Sequence, residues 1–203
     1  GAVVATKELV TQALSSIADD YATQARFGRQ WTRNIIYGLV RAAGRSQDLP
    51  GGRRAAIVAA GPSLDAALPR LEGFDLVVSV DTALPAFVRR GMSPDYVVAI
   101  DPQIIGYHHL LPGVPPDTRF AIDLGAPLPG RVQPLLFAGG HPLSRLLSAL
   151  GAELPEWDTS GGSVTQTAID FCRLLGVEEA RLFGADFSYG AGRAYTRDRK
   201  SVV

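Results

Sequence analysis

Four short stretches of this chain carry side chains that can do chemistry, and each falls where an apolar run gives way to a turn. The first is Ala59-Ala60-Gly61-Pro62-Ser63-Leu64. Gly61 allows close backbone approach, and Ser63 offers a hydroxyl that can cap a following helix. The first amides and the dipole of such a helix favour an anion such as phosphate. The stretch also reads as a plain capped turn, and it matches neither GxGxxG nor GxxxxGK[ST]. The second, Ser79 to Gln103, holds Asp81 and Asp101, each closing an apolar run. These carboxylates suit ribose hydroxyls, a substrate amine or a shared divalent cation, with loop capping as the structural alternative. Asp95, behind Pro94 in a turn, reads as structural. The third, Thr159-Ser160-Gly161-Gly162-Ser163, opens a helix and suits an anion or a base, or else tight packing. The fourth places Asp186 beyond an apolar run, with Tyr189 and Tyr195 close behind. Two phenols near a phosphate stabilise a leaving group by hydrogen bonding, whereas packed aromatic rings do not. Arg193 and Arg197 add phosphate contacts or are solvated. Of the histidines, the His108-His109 pair follows the third strand closely enough for a general base, although a surface loop is the preferred reading, as it is for His141. None has a partner at metal-ligand spacing, so no metal site is expected.

These residues need elements to hold them. Residues 1–45 read as helix: Leu9, Ala13, Leu14, Ile17 and Tyr21 form one apolar stripe, and Trp31, Ile35, Ile36 and Leu39 form a second. Residues 46–54 carry turn chemistry and mark a linker. Continuous apolar runs at Ala55–Ala60, Leu76–Val80 and Tyr96–Ile100 predict strands buried on both faces. Arg119–Ile122 and Pro134–Ala138 are weaker strands, and Glu179–Phe183 is the last. Helices are predicted over 63–71, 83–90, 141–150 and 163–175. Alternating strands and helices predict an α/β, Rossmann-like and mostly parallel sheet covered on both faces. The expected domain division is 1–50, a helical extension with linker, and 51–203, a Rossmann-like nucleotide-binding domain. Ligands in such sheets sit beyond the carboxyl ends of the strands, where Gly61, Asp101 and Asp186 all fall.

Composition narrows the function. The chain has 203 residues, 46% of them hydrophobic, enough for a substantial core. Twenty basic residues balance twenty acidic ones, which offers no electrostatic case for nucleic acid or a membrane surface as partner. The single cysteine, Cys172, lies in an apolar helical pattern and reads as a buried structural thiol. No apolar run approaches the ~18 residues that span a bilayer, and no secretory signal pattern opens the chain, so cytoplasm is the expected compartment. The close at Arg199-Lys200-Ser201-Val202-Val203 reads as part of something longer, and oligomeric state is not legible.

The order of motifs adds a resemblance. GPSL, Asp81, GMSPDYVVAID, GGSVTQTA and LFGADFSY, spread over residues 26–198, resemble the MptE-like family, named for an archaeal 6-hydroxymethylpterin diphosphokinase. That family also includes the motility-associated-factor (Maf) flagellin glycosyltransferases, whose preceding segment RQWTRNI, residues 29–35, resembles. A more distant likeness is to bacterial sialyltransferases that use CMP-sialic acid. Thr159, Ser160 and Gly161 match their TSG; Gly184, Asp186 and Phe187 match their GIDF with Ala185 in place of isoleucine. Their histidine base lies downstream of the tyrosines, and no histidine follows Tyr195 here. The resemblance implies a nucleotide-dependent transferase that moves a sialic-acid-like nonulosonic sugar from a CMP donor to a hydroxyl of a protein such as flagellin. In that reading Gly61, Pro62 and Ser63, with Asp81, Thr159 to Ser163 and Asp186, bind the nucleotide. Tyr189 and Tyr195 assist the departing phosphate, and Asp101 meets a sugar. The alternatives are diphosphate transfer from ATP with magnesium, held by Asp81 and Asp101, and a nucleotide-binding module without catalysis.

Overall fold

The protein is known through a computed structural model that describes residues 2–42, 49–102, 113–128, 130, 132, 134–139, 141–152, 154–157, 159 and 162–188. The six expected strands form: β1 Arg54–Val58, β2 Leu76–Val80, β3 Tyr96–Ala99, β4 Arg119–Asp123, β5 Pro134–Phe137 and β6 Glu179–Phe183. They pair in the order β5-β4-β3-β2-β1-β6, and all five pairings are parallel. The chain therefore steps outward from β1 to β5, then returns to lay β6 on the other side of β1. That reversal sets Ala55 against both Leu76 of β2 and Ala180 of β6.

The continuous apolar runs are buried because helices cover both faces. Neighbouring residues of β3 enter different core clusters, Val98 on one face and Val97 on the other. Helices α2 Leu64–Ala67, α3 Leu84–Arg89, α4 Pro142–Ala149 and α5 Val164–Leu174 follow their strands, the first two joined to short 3-10 turns at Leu68–Arg70 and Asp81–Ala83. On the α5 side, Phe171 sits edge-on to Tyr96 and Phe137 with centroids 5.0 and 5.5 Å away, and Phe137 stacks on Trp157 at 4.4 Å. The Tyr96 hydroxyl donates to the Pro50 carbonyl at 2.8 Å. Cys172 is buried beside Phe171, and burial pushes its thiol pKa up to about 12, as a structural thiol requires. Asp95 takes its expected structural role, its carboxylate accepting from the Val77 amide at 2.7 Å.

Helix α1, Ala2–Ala42, departs from expectation in its packing. Its second half lies across β5: Ile35 joins Leu124 and Leu136, the Asn34 amide donates to the Gly125 carbonyl at 2.9 Å, and Arg41 donates to the carbonyls of Gly130 and Val132. Ile36 does not share that stripe and is exposed, since successive helical residues point about 100° apart. The first stripe, Leu9 to Tyr21, is exposed throughout. Its periodicity correctly reports a helix, but no described element lies against it. No helix among the described residues is long and apolar enough to cross a membrane.

The two parts of the chain should respond differently to truncation. Phe171→Ala should lower unfolding free energy by about 3–5 kcal/mol, the range for a buried aromatic. Leu14→Ala should stay within about 0.5 kcal/mol, as at exposed sites. Urea midpoints measure both, and a large loss at Leu14 would show that its stripe is buried in solution.

Candidate functional site

The reversal of strand order brings the ends of β1 and β6 side by side. The Ala59 amide donates to the Phe183 carbonyl at 2.8 Å, and the Gly61 amide donates to the Gly184 carbonyl at 2.7 Å. Neither strand end tolerates a side chain there. A Cβ on Gly61 would overlap the Gly184 carbonyl oxygen and the Asp186 carboxylate, and one on Gly184, which holds φ of 65°, would overlap the Ala59 carbonyl oxygen. The Asp186 carboxylate then reaches across and accepts the Ser63 amide at 2.9 Å.

This corrects the expected role of Ser63. Its backbone is already helical, at φ −76° and ψ −9°, whereas an N-cap needs an extended backbone, and its hydroxyl makes no capping bond. Asp186 supplies the acceptor instead. The helix that follows has four residues before it tightens into a 3-10 turn, too short for a strong dipole. An anion at this turn would meet a carboxylate already on the Ser63 amide.

Helix α5 begins differently. Ser163 is extended, at φ −131° and ψ 127°, and its hydroxyl accepts from the Thr165 amide at 3.3 Å. Gly162 precedes it at φ 66°, which favours glycine, and its amide donates to the Thr159 carbonyl. The β1 end, the start of α5 and the β6 end enclose a cleft of about 540 Å³ whose walls include Gly61, Thr82, Ser163, Thr165, Asp186 and Phe187. A smaller hollow of about 320 Å³ lies between α2 and β6, bounded by Ser63, Arg70, Leu182 and Asp186. Asp186 borders both.

Other predicted site residues lie elsewhere. Asp81 is buried, and one carboxylate oxygen accepts from the Thr82 amide at 2.8 Å, so it closes its own 3-10 turn. Asp101 is half-buried at the end of β3, beside Pro102, whose carbonyl accepts from the Gln30 side chain. Neither lines the cleft; Pro62 and Thr159 also lie outside its walls. His141 is not a loop residue: its Nδ1 accepts from the Leu143 amide and caps α4, its ring meets Trp31 edge-on at 5.2 Å, and burial lowers its pKa. Ser160, Gly161, His108, His109, Tyr189, Arg193, Tyr195 and Arg197 lie outside the described residues. Among the described residues, no three His, Cys, Asp or Glu side chains are placed to hold a metal ion.

Asp123 was not singled out in the sequence. It ends β4 and is 7% exposed; its carboxylate accepts from the Gly125 amide at 2.8 Å, from the Trp157 indole at 3.4 Å, and from the Gly139 amide. Burial raises its pKa, and the three donors pull back against it without restoring the ordinary value. The signal was an acid closing an apolar strand, the same feature that marked Asp81 and Asp186.

The architecture is that of a Rossmann-like α/β domain whose strand order reverses at its cleft. Residues 29–123 match the family described as 6-hydroxymethylpterin diphosphokinase MptE-like, in agreement with the part of the motif series that runs from GPSL to GMSPDYVVAID. An uncharacterized protein of Treponema pallidum (strain Nichols) is 35% identical over 106 residues, 49% of this chain and 50% of the relative. A second from the same organism is 25% identical over 200 residues, 95% of this chain and 44% of the relative. The chain thus spans half or less of these relatives' length. The solved Maf glycosyltransferase from Magnetospirillum magneticum AMB-1 shares the fold, with a TM-score of 0.58 and 22% identity over 69% of this chain and 24% of that one.

Gly61→Val should cost about 1–3 kcal/mol of stability in urea, because the overlap is with fixed backbone. Unchanged stability would show that β1 and β6 are further apart. Asp123 gives a pH signature. Its folded pKa lies above the unfolded value, so its contribution is full at low pH and is lost as pH rises through the folded pKa. The stability of the wild type minus that of Asp123→Asn should therefore fall as pH rises from about 4. A difference that grows with pH would reverse the assignment.

Proposed function

We propose that this chain is the nucleotide-binding part of a transferase of the Maf and MptE kind. The observation that carries this is the cleft at the reversal of strand order, where α/β sheets bind ligands, closed on one side by a serine-capped helix start. Its volume of about 540 Å³ falls in the range of small-ligand sites. The Ser163 and Val164 amides have no acceptor among the described residues and open an 11-residue helix, which suits a phosphate. Asp186, already a hydrogen-bond acceptor at the turn, suits a ribose hydroxyl beside Gly61 better than it suits a second anion.

The favoured reaction is glycosyl transfer from a CMP-activated nonulosonic acid to a hydroxyl of an acceptor protein such as flagellin. The bond between the anomeric carbon and the CMP phosphate breaks, the acceptor oxygen bonds to that carbon, and the acceptor proton passes to a base. The histidine base of the sialyltransferases has no counterpart among the described residues lining the cleft, which leaves another residue of this site, or one beyond the described residues, to take that proton. Tyr189 and Tyr195 hydrogen-bond the departing phosphate, and Asp101 meets a sugar. The second reading, diphosphate transfer from ATP to 6-hydroxymethyl-dihydropterin, is favoured by the family's description. It requires magnesium and oxygen ligands for it. Among the described residues the cleft wall holds a single carboxylate, Asp186, and it is engaged with Ser63, which supports the first reading. A binding module without catalysis is the third.

Calorimetric titration of CMP and ATP, in chelator and in magnesium, separates these readings. CMP should bind in chelator. Binding of ATP alone, and only with magnesium, would favour the diphosphokinase; binding of neither would overturn the nucleotide reading. Tyr189→Phe or Tyr195→Phe should slow hydrolysis of a CMP-nonulosonate on the order of 10- to 1000-fold with CMP affinity nearly unchanged, because such bonds strengthen in the transition state. Unchanged turnover in both would remove the tyrosines from the chemistry, whereas a wild type that binds CMP without turnover would leave the binding module.

A further inference from the structure

Phe187 stands apart in its backbone and in its surroundings. Among the described residues it is the one non-glycine with positive φ, at 48°. A residue with a large side chain takes that conformation at a cost, and such cases gather where a ligand is gripped. Packing does not explain it: the side chain is 87% exposed, the most exposed of the large apolar residues, and its ring meets no other ring among the described residues. What imposes the turn lies just before it. Gly184 is tied to the Gly61 amide and Asp186 to the Ser63 amide, so the chain is fixed up to the residue that precedes the ring.

The ring stands on the wall of the 540 Å³ cleft, together with Gly61, Thr82, Ser163 and Asp186, and it is the only aromatic group among the described residues lining it. The rest of the described wall is backbone, small and aliphatic side chains, hydroxyls and the Asp186 carboxylate, which can bind phosphate and ribose but offer a base no flat face. We propose that Phe187 is the stacking platform for the nucleobase of the nucleotide held in this cleft. The inference rests on the nucleotide reading above and adds where the base lies: at the mouth, against Phe187, with the phosphate inward at the start of α5. Stacking of this kind is tolerant, since every base has a π-face. Phe187 therefore supplies affinity for a nucleotide over a bare sugar phosphate, and selection among bases falls to polar groups around it.

The test compares CMP with ribose 5-phosphate, which lacks the base, on the wild type, Phe187→Ala and Phe187→Trp. Phe187→Ala should weaken CMP roughly 5- to 100-fold, the span measured for loss of base–aromatic stacking. It should leave the affinity for ribose 5-phosphate and the melting temperature as they are, because the ring is exposed. Phe187→Trp should keep CMP affinity, and CMP should quench the new indole's fluorescence. Equal CMP affinity in a folded Phe187→Ala overturns the proposal. So does a parallel loss for ribose 5-phosphate, which would mean that the ring shapes the turn rather than meets the base. Unfolding of Phe187→Ala would likewise overturn it, by showing the ring to be a packing group. A wild type that binds neither probe overturns the nucleotide reading itself, a result distinct from the other three.

Discussion

The close approach of two backbones, Gly61 to Gly184, is the constraint on which the rest of the structure hangs. β1 is the hub of the sheet, paired on both sides, and β6 can lie beside it to its very end only because neither glycine carries a Cβ. That contact brings Asp186 over the Ser63 amide, fixes the wall that ends in Phe187, and leaves the gap to α5 open as a cleft. A parallel sheet that reverses its strand order must splay its connections at the reversal. Here the opening is narrowed from one side by glycine backbone and bordered on the other by a capped helix.

Carboxylates at strand ends recur and serve different purposes. Strands in a parallel sheet run into turns whose amides have no ladder partner, and an acid placed there can accept them. Asp81 accepts within its own turn, Asp186 accepts from the neighbouring crossover, and Asp123 gathers Gly125, Gly139 and Trp157. Their environments diverge accordingly. Asp123 sits deep enough that desolvation outweighs three donors, and a Cβ on Gly139 would overlap its carboxylate, which ties that glycine to the acid.

Much of this was legible in the sequence. The strands are continuous apolar runs, and such runs have few alternatives to a two-sided burial; even the weaker ones at Arg119 and Pro134 form. The start of α5 was equally readable, since Gly162 and Ser163 satisfy local geometry on their own. What escaped depends on partners distant in sequence. Whether Ser63 or another group satisfies the turn after β1 is decided by Asp186, 123 residues on. Asp123 looks like any acid after a strand until Gly139 and Trp157 close around it. The stripe from Leu9 to Tyr21 shows the converse, because periodicity reports an amphipathic surface and not what lies upon it.

β6 has a consequence for behaviour at high concentration. Among the described residues it forms one margin of the sheet and is exposed along most of its five residues, and an unpaired strand margin is a template on which another chain can polymerise. Glu179 and Arg181 face that hazard directly. Their side chains form an ion pair at 2.9 Å, and a strand arriving in register would have to strip water from both. Such charges oppose edge-to-edge pairing along this short margin while leaving the backbone beneath free to hold Gly184 against Gly61.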